Sequence, residues 1–295
     1  TEAISAYNNC ASYDILGIIG TYASSCTKAF ATQAQSDGLI VITPQSTNAS
    51  ICKIGDYIFR ACFSDDAQGP AMAEFIKDKL GAKKAAIIYG SNEDYCTGLY
   101  ESISKYFDEN GVDYVVYECN STDTDFSAQV SKVVAEGCDA IAYPNYLDTA
   151  PMLVQQARAA GFTGGIVGGD GWDGADTSGL EADFENTYYL NHLDFGDSDE
   201  KIQSFVTTST DEFGSDSLCA AAALYYDSVY MLKQAIEESG STDPAVIKDA
   251  LAAIDFTGVT GHVKFDENGD PIKAFTIETF KDGEVTYYDK VGGEA

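Results

Sequence analysis

Short apolar runs alternate with longer amphipathic runs from the start of the chain to Trp172, and this rhythm most restricts the fold. Residues 16–20, 39–43, 85–89, 114–117, 140–143 and 165–168 read as strands, apolar enough to be covered on both faces. Between them, 25–35, 68–80, 95–110, 126–136 and 149–160 read as helices, with Asp125 as an N-cap and Gly111 and Gly137 as stops. Strand–helix–strand alternation predicts an α/β fold with parallel sheets flanked by helices.

Beyond Trp172 the pattern changes. Residues 188–192 read as a strand, followed by helices at 200–213, 218–238 and 244–254. From Gly261 to Asp289 the chain alternates in period two around Glu267-Asn-Gly-Asp270 and Lys281-Asp-Gly283, whose turn dipeptides predict hairpins. With no internal repeat or long linker, two compact sheets joined by short crossings fit best.

Charge and motif content narrow the function. Asp plus Glu number 47 against 17 Lys plus Arg, a formal charge of −30. So acidic a surface repels phosphate backbones and anionic lipid heads, which argues against nucleic acid as a partner. No apolar run approaches the ~20 residues a bilayer span needs, so direct membrane insertion is not expected. No basic segment followed by an apolar one opens the chain, so an export signal is not expected within it. The eight cysteines include no C-x-x-C pair and there are two histidines, which leaves no zinc pattern and no expected metal or cofactor. Most of the cysteines read as small buried hydrophobes, with a disulfide as the alternative for Cys52 and Cys62, which flank a short extended stretch. G-x-S-x-G, H-E-x-x-H, P-loop and G-x-G-x-x-G motifs are missing, and His192 and His262 read as structural or exposed, so no enzyme is expected. Asp266-Glu-Asn-Gly-Asp270 departs from a calcium loop at Pro271 and Ile277 and reads as a turn.

What remains lies at the carboxyl ends of the strands, where open α/β sheets bind ligands. Two first-half strands run into Thr21-Tyr-Ala-Ser-Ser25 and Pro44-Gln-Ser-Thr-Asn48, loops rich in hydroxyls, the first opening a helix. Such a helix start suits a carboxylate. Later strands run into Glu93-Asp-Tyr95, Pro144-Asn-Tyr146 and Gly169-Asp-Gly-Trp172. One acid and two aromatic faces suit an ammonium, so the set could hold a zwitterion. Ordinary turn and capping roles for the same residues are the alternative.

The residues also carry a family resemblance. Gly17-Ile-Ile-Gly20 with Ser24-Ser25, Ile42-Thr-Pro-Gln-Ser-Thr-Asn48, Tyr57-Ile-Phe-Arg-Ala-Cys62 with Asp66-Ala-Gln-Gly69, Thr124-Asp-Phe-Ser127, Gln155-Gln-Ala-Arg158, Gly168-Gly-Asp-Gly-Trp172, Tyr226-Asp227, Val259-Thr-Gly261 and Phe265-Asp-Glu-Asn-Gly-Asp270 follow one another in a characteristic order. In this the chain resembles the substrate-binding proteins of branched-chain amino acid ABC transporters, the type I periplasmic-binding fold. The resemblance implies two lobes, 1–65 with 195–275 and 66–194 with 276–295, joined by three hinge crossings and closing on a ligand.

It also implies a site. Ser24 and Thr47, with Ser46 and backbone groups near Ala23 and Gln45, would take the ligand carboxylate. Asp170 would take the ammonium, Tyr95 and Tyr146 would wall the second lobe, Tyr22 would meet the ligand side chain, and Trp172 would shape the pocket. The implied partners are a small amino acid and a membrane permease, for a monomer working outside the cytoplasm. An extracellular sensor domain with the same clamp is the alternative. Relatives open with a strand–helix–strand unit before the segment matching Thr1-Glu-Ala-Ile-Ser-Ala-Tyr7. The resemblance therefore implies an N-terminally truncated first lobe, an open edge on strand 16–20, and weaker stability and affinity than a relative of full length.

Overall fold

The computed structural model describes residues 2–266 and 269–292. In chain order the elements begin α1 (Glu2–Ala11), β1 (Gly17–Ile19), α2 (Ser24–Asp37), β2 (Ile40–Thr43), β3 (Ile58–Arg60), α3 (Asp65–Glu74), β4 (Lys84–Gly90), α4 (Asp94–Asn110) and β5 (Asp113–Cys119). They continue with α5 (Ser127–Ala135), β6 (Ala140–Tyr143), α6 (Ala150–Ala159), β7 (Gly165–Gly168), β8 (Thr187–Asn191) and α7 (Glu200–Phe213). The last are α8 (Ala220–Ser239), α9 (Pro244–Ala252), β9 (Phe256–Gly258), β10 (Gly261–Val263), β11 (Ala274–Lys281) and β12 (Glu284–Gly292). They form two compact units, Thr1–Ser64 with Phe195–Lys273 and Asp65–Asp194 with Ala274–Gly292.

In the first unit β1, β2 and β3 form a parallel sheet in that order, with Gly17 opposite Ile40 and Val41 opposite Ile58. Side chains on a strand alternate between faces, and β2 uses both. Ile40 and Ile42 pack with Phe59, Leu224, Met231 and Ile247, under α8 and α9. Val41 packs with Tyr7, Phe30, Ala31 and Ile58, under α1 and α2. A run of four apolar or small residues is therefore what a strand covered on both faces requires. Among the described strands β1 pairs with β2 alone, and its residues are half-buried where those of β2 are buried. β9 and β10 make a separate antiparallel hairpin.

The second unit holds a seven-stranded sheet in the order β12-β11-β8-β7-β6-β4-β5. β5, β4, β6, β7 and β8 run parallel, but β11 is antiparallel to both β8 and β12. To the parallel strands expected from the sequence, the C-terminal hairpin adds two in antiparallel pairing. The physical reason is the connection: Asp282 and Gly283 both have positive φ, 53° and 84°, and a two-residue turn of that kind joins only antiparallel strands. The hairpin expected at Lys281-Asp-Gly283 is thus present. Of the one expected around Glu267-Asn-Gly-Asp270, Phe265 and Pro271 form an antiparallel bridge, while Glu267 and Asn268 lie outside the described residues.

Local corrections follow hydrogen bonding. The helix expected from Phe126 starts at Ser127, with Phe126 in the N-cap position, and Asp125 Oδ1 accepts from Ser127 N at 3.0 Å. α3 starts at Asp65 and passes into a π-helical turn at Phe75–Lys79. The described cysteines are thiols, Cys52 and Cys62 included, and five of the eight are buried.

Candidate functional site

In the first unit, β1 and β2 deliver two loops that are stitched together by hydroxyls. Thr43 Oγ1 donates to Thr21 O at 2.9 Å and accepts from Ser46 N at 3.1 Å. Ser46 Oγ lies within hydrogen-bond distance of Thr21 O (3.0 Å), Tyr22 O (3.2 Å) and Thr27 Oγ1 (2.8 Å). Asn48 N donates to Ser24 Oγ at 3.2 Å. Ser46 is therefore a brace between the loops, with its hydroxyl already engaged. Thr47 differs: it is fully buried and its Oγ1 has no hydrogen-bond partner among the described residues. Ser24 opens α2 behind an extended Ala23 (φ −76°, ψ 136°), so amides of the first turn face out of the helix start. Gln45 is buried and Tyr22 half-buried.

Arg60, at the end of β3, holds the second loop from beneath. Its Nη1 and Nη2 donate to Ser46 O and Asn48 O at 3.1 and 2.9 Å, and its Nε lies 2.7 Å from Asp270 Oδ1. The guanidinium is fully buried, so these partners offset the cost of removing its charge from water.

In the second unit, Asp170 sits just past β7 in a 3-10 turn, Asp170–Trp172, with 1% of its surface exposed. Gln68 Nε2 donates to its Oδ1 at 2.9 Å, and His192 Nε2 lies 3.2 Å from its Oδ2. Tyr95 OH accepts from Gly171 N at 3.2 Å, and its ring lies 5.1 Å from that of Tyr146 at 36°. Burial, then the charges of Asp170 and Asp65, push the Tyr95 phenol well above its ordinary range, so it stays neutral. Leu147 N donates to Gly171 O at 2.7 Å, tying the loop after β6 to the loop after β7.

The glycines around Asp170 are there for space. Gly169 has φ −92°, which any residue adopts, but a Cβ there would stand 2.4 Å from Gln68 Oε1 and 2.5 Å from Tyr95 OH. Trp172 takes a different place from the one expected. It is fully buried in the core of the second unit, edge-on to Tyr143, and its Nε1 donates to Tyr143 O at 3.1 Å. Its bulk backs the turn that carries Asp170, and its polar atom is spent inside the core.

A model of the family described as "Periplasmic binding protein" matches residues 1–284. The chain belongs to that family. A leucine-binding protein of Thermotoga maritima matches this binding protein at 32% identity and a TM-score of 0.92, covering 99% of this chain and 84% of the other. A branched-chain amino acid transporter substrate-binding protein of Streptococcus pneumoniae, solved with isoleucine, is 28% identical with a TM-score of 0.89 over the same shares. Among curated relatives, a leucine-, isoleucine-, valine-, threonine- and alanine-binding protein of Pseudomonas aeruginosa is 26% identical over 95% of this chain and 75% of its own length. These likenesses support the fold expected from the sequence.

Three contributors in this binding protein escaped sequence reasoning: Arg60, Gln68 and His192. Arg60 and Gln68 lie in the segments 57–62 and 66–69 that carry the family resemblance, with no role assigned to them there. His192 read as structural or exposed, and its partner Asp170 is 22 positions away in sequence. The remaining signal was weak, a histidine as the last residue of a run that reads as a strand.

Among the described residues no cluster of His, Cys, Asp and Glu suits a metal ion, and no helix is long and apolar enough to cross a membrane.

Proposed function

We propose that this chain is the solute-binding component of an ABC importer, capturing a small amino acid of the branched-chain type outside the cytoplasm and presenting it to a membrane permease. It works as a monomer and no reaction step is assigned to it. The observation that carries the reading is Asp170, a buried carboxylate whose two oxygens are each held by a neighbouring side chain. Held in this way, the carboxylate presents a fixed negative charge suited to an ammonium. In this reading Tyr95 and Tyr146 supply aromatic faces for the same cation.

The Thr47 hydroxyl and the amides at the start of α2, next to Ser24, are donors suited to a carboxylate. Tyr22 meets the side chain, backbone groups near Ala23 and Gln45 join the donors for the carboxylate, and Ser46 holds the loop in shape. Relatives described as leucine-, isoleucine- and valine-binding proteins support the choice of ligand. Affinity near 1 μM corresponds to about −8.2 kcal/mol, within reach of one small zwitterion whose two charges are both met. A thermal-shift screen of the twenty amino acids tests the reading. Stabilisation by leucine, isoleucine or valine is expected, and a flat response across all twenty contradicts it.

A further inference from the structure

Resting on the reading of Asp170 as the ammonium partner, we infer that His192 is a positioning residue that sets this protein's preference for ligands bearing an ammonium group. His192 stands immediately after β8, with its side chain fully buried and Nε2 3.2 Å from Asp170 Oδ2, while the Asp170 side chain is 2% exposed. The backbone that carries the ring is anchored. His192 N donates to Asn191 Oδ1 at 2.8 Å, and Asn191 Nδ2 donates to Asp173 Oδ1 at 3.0 Å and Glu278 Oε2 at 2.7 Å. The end of β8 is thereby anchored both to the segment after Asp170 and to β11.

The second carbon torsion of an aspartate is broad, so an unheld carboxylate swings. Gln68 restrains one oxygen and His192 the other, which fixes the plane of the group before a ligand arrives. An acceptor held in place loses less freedom on binding, so it binds its cation more tightly. With hydrogen on Nε2, the imidazole donates this bond to the carboxylate. The effect belongs to one end of the ligand: a molecule with the same carboxylate and side chain but no ammonium gains nothing from it.

The test compares L-leucine with 4-methylpentanoate, which lacks only the amino group, by calorimetric titration of the whole chain. In His192→Ala leucine affinity is expected to fall about tenfold or more, the scale of one hydrogen bond to a charged group, with 4-methylpentanoate unchanged. In His192→Gln, whose amide also donates, most of the leucine affinity returns. A merely structural role would weaken both ligands together and would not distinguish Gln from Ala, and that result overturns the inference. Should His192→Ala fail to fold, His192→Gln against His192→Met gives the same comparison of donor with no donor. Asp170→Asn separates the two levels. If it binds leucine as tightly as the parent, the ammonium reading falls and the role of His192 with it. If it loses leucine while His192→Ala does not, only the role of His192 falls.

Discussion

The indole of Trp172 occupies the space beside Gly168 so closely that a Cβ on Gly168 would stand 2.2 Å from the ring. β7 therefore ends in glycine because the core of the second unit needs the indole there. Gly168→Ala is expected to cost about 1–3 kcal/mol by overpacking, and Gly171→Ala less, because there the nearest atoms, Asn145 O and Tyr95 Cε1, are both 3.0 Å away. Trp172 is the single tryptophan, so urea unfolding followed by its fluorescence reads the second unit selectively.

Glu278 on β11 links stability to pH. Burial pushes its carboxyl up to about 7 from 4.5, against hydrogen bonds from Tyr189 and Asn191, with the charges of Asp173 and Asp194 adding to the rise. The folded state holds this proton more tightly than the unfolded one. The contribution is fully present below about pH 4.5 and is lost as pH rises through about 7. Glu278→Gln removes the dependence. It is expected to match the parent near pH 4.5 and to be more stable at pH 8 by about 3 kcal/mol, on the order of the shift converted to energy. Equal stability difference at both pH values contradicts this.

Asp227 on α8 anchors the β9–β10 hairpin. Its carboxylate accepts from Val259 N at 2.8 Å, Thr260 N at 2.7 Å and Thr260 Oγ1 at 2.6 Å, and it is fully buried. Asp227→Asn keeps one acceptor oxygen and adds a donor that has no use there. A loss of about 1–3 kcal/mol is expected, read as faster amide exchange at Val259 and Thr260. Unchanged protection would show that the hairpin holds itself.

Arg60 supports the loop that carries Thr47 through two carbonyls, Ser46 O and Asn48 O. Lysine offers a point charge and no planar fork. Arg60→Lys is expected to lower both thermal stability and leucine affinity, the latter severalfold. Thr47→Val removes the buried hydroxyl while keeping the shape, and is expected to lower affinity with little change in melting temperature.

How much of this was legible in the sequence depended on how local the cause was. α7 spans Glu200–Phe213 as read, and β6 and β7 match residue for residue, because their periodicity and stops lie within the segment. β9 was missed: at three residues, Phe256–Gly258, it has too short a pattern to read. The antiparallel β11 was legible as half of a hairpin, but not its pairing to β8, which joins residues such as Thr276 and Asn191 from distant parts of the chain. The site divides in the same way. Asp170 stood out as an acid among glycines, whereas the engaged hydroxyl of Ser46, the core position of Trp172 and the hold of His192 on Asp170 are spatial facts that no spacing encodes.

The central claim is that Asp170 binds the ammonium of an amino acid. Calorimetric titration of L-leucine into the parent chain and into Asp170→Asn tests it most directly. The account predicts affinity near 1 μM for the parent and a loss of about a hundredfold on replacing the charged acceptor, the scale of a buried hydrogen-bonded charge. An Asp170→Asn protein with the parent's dissociation constant would contradict it.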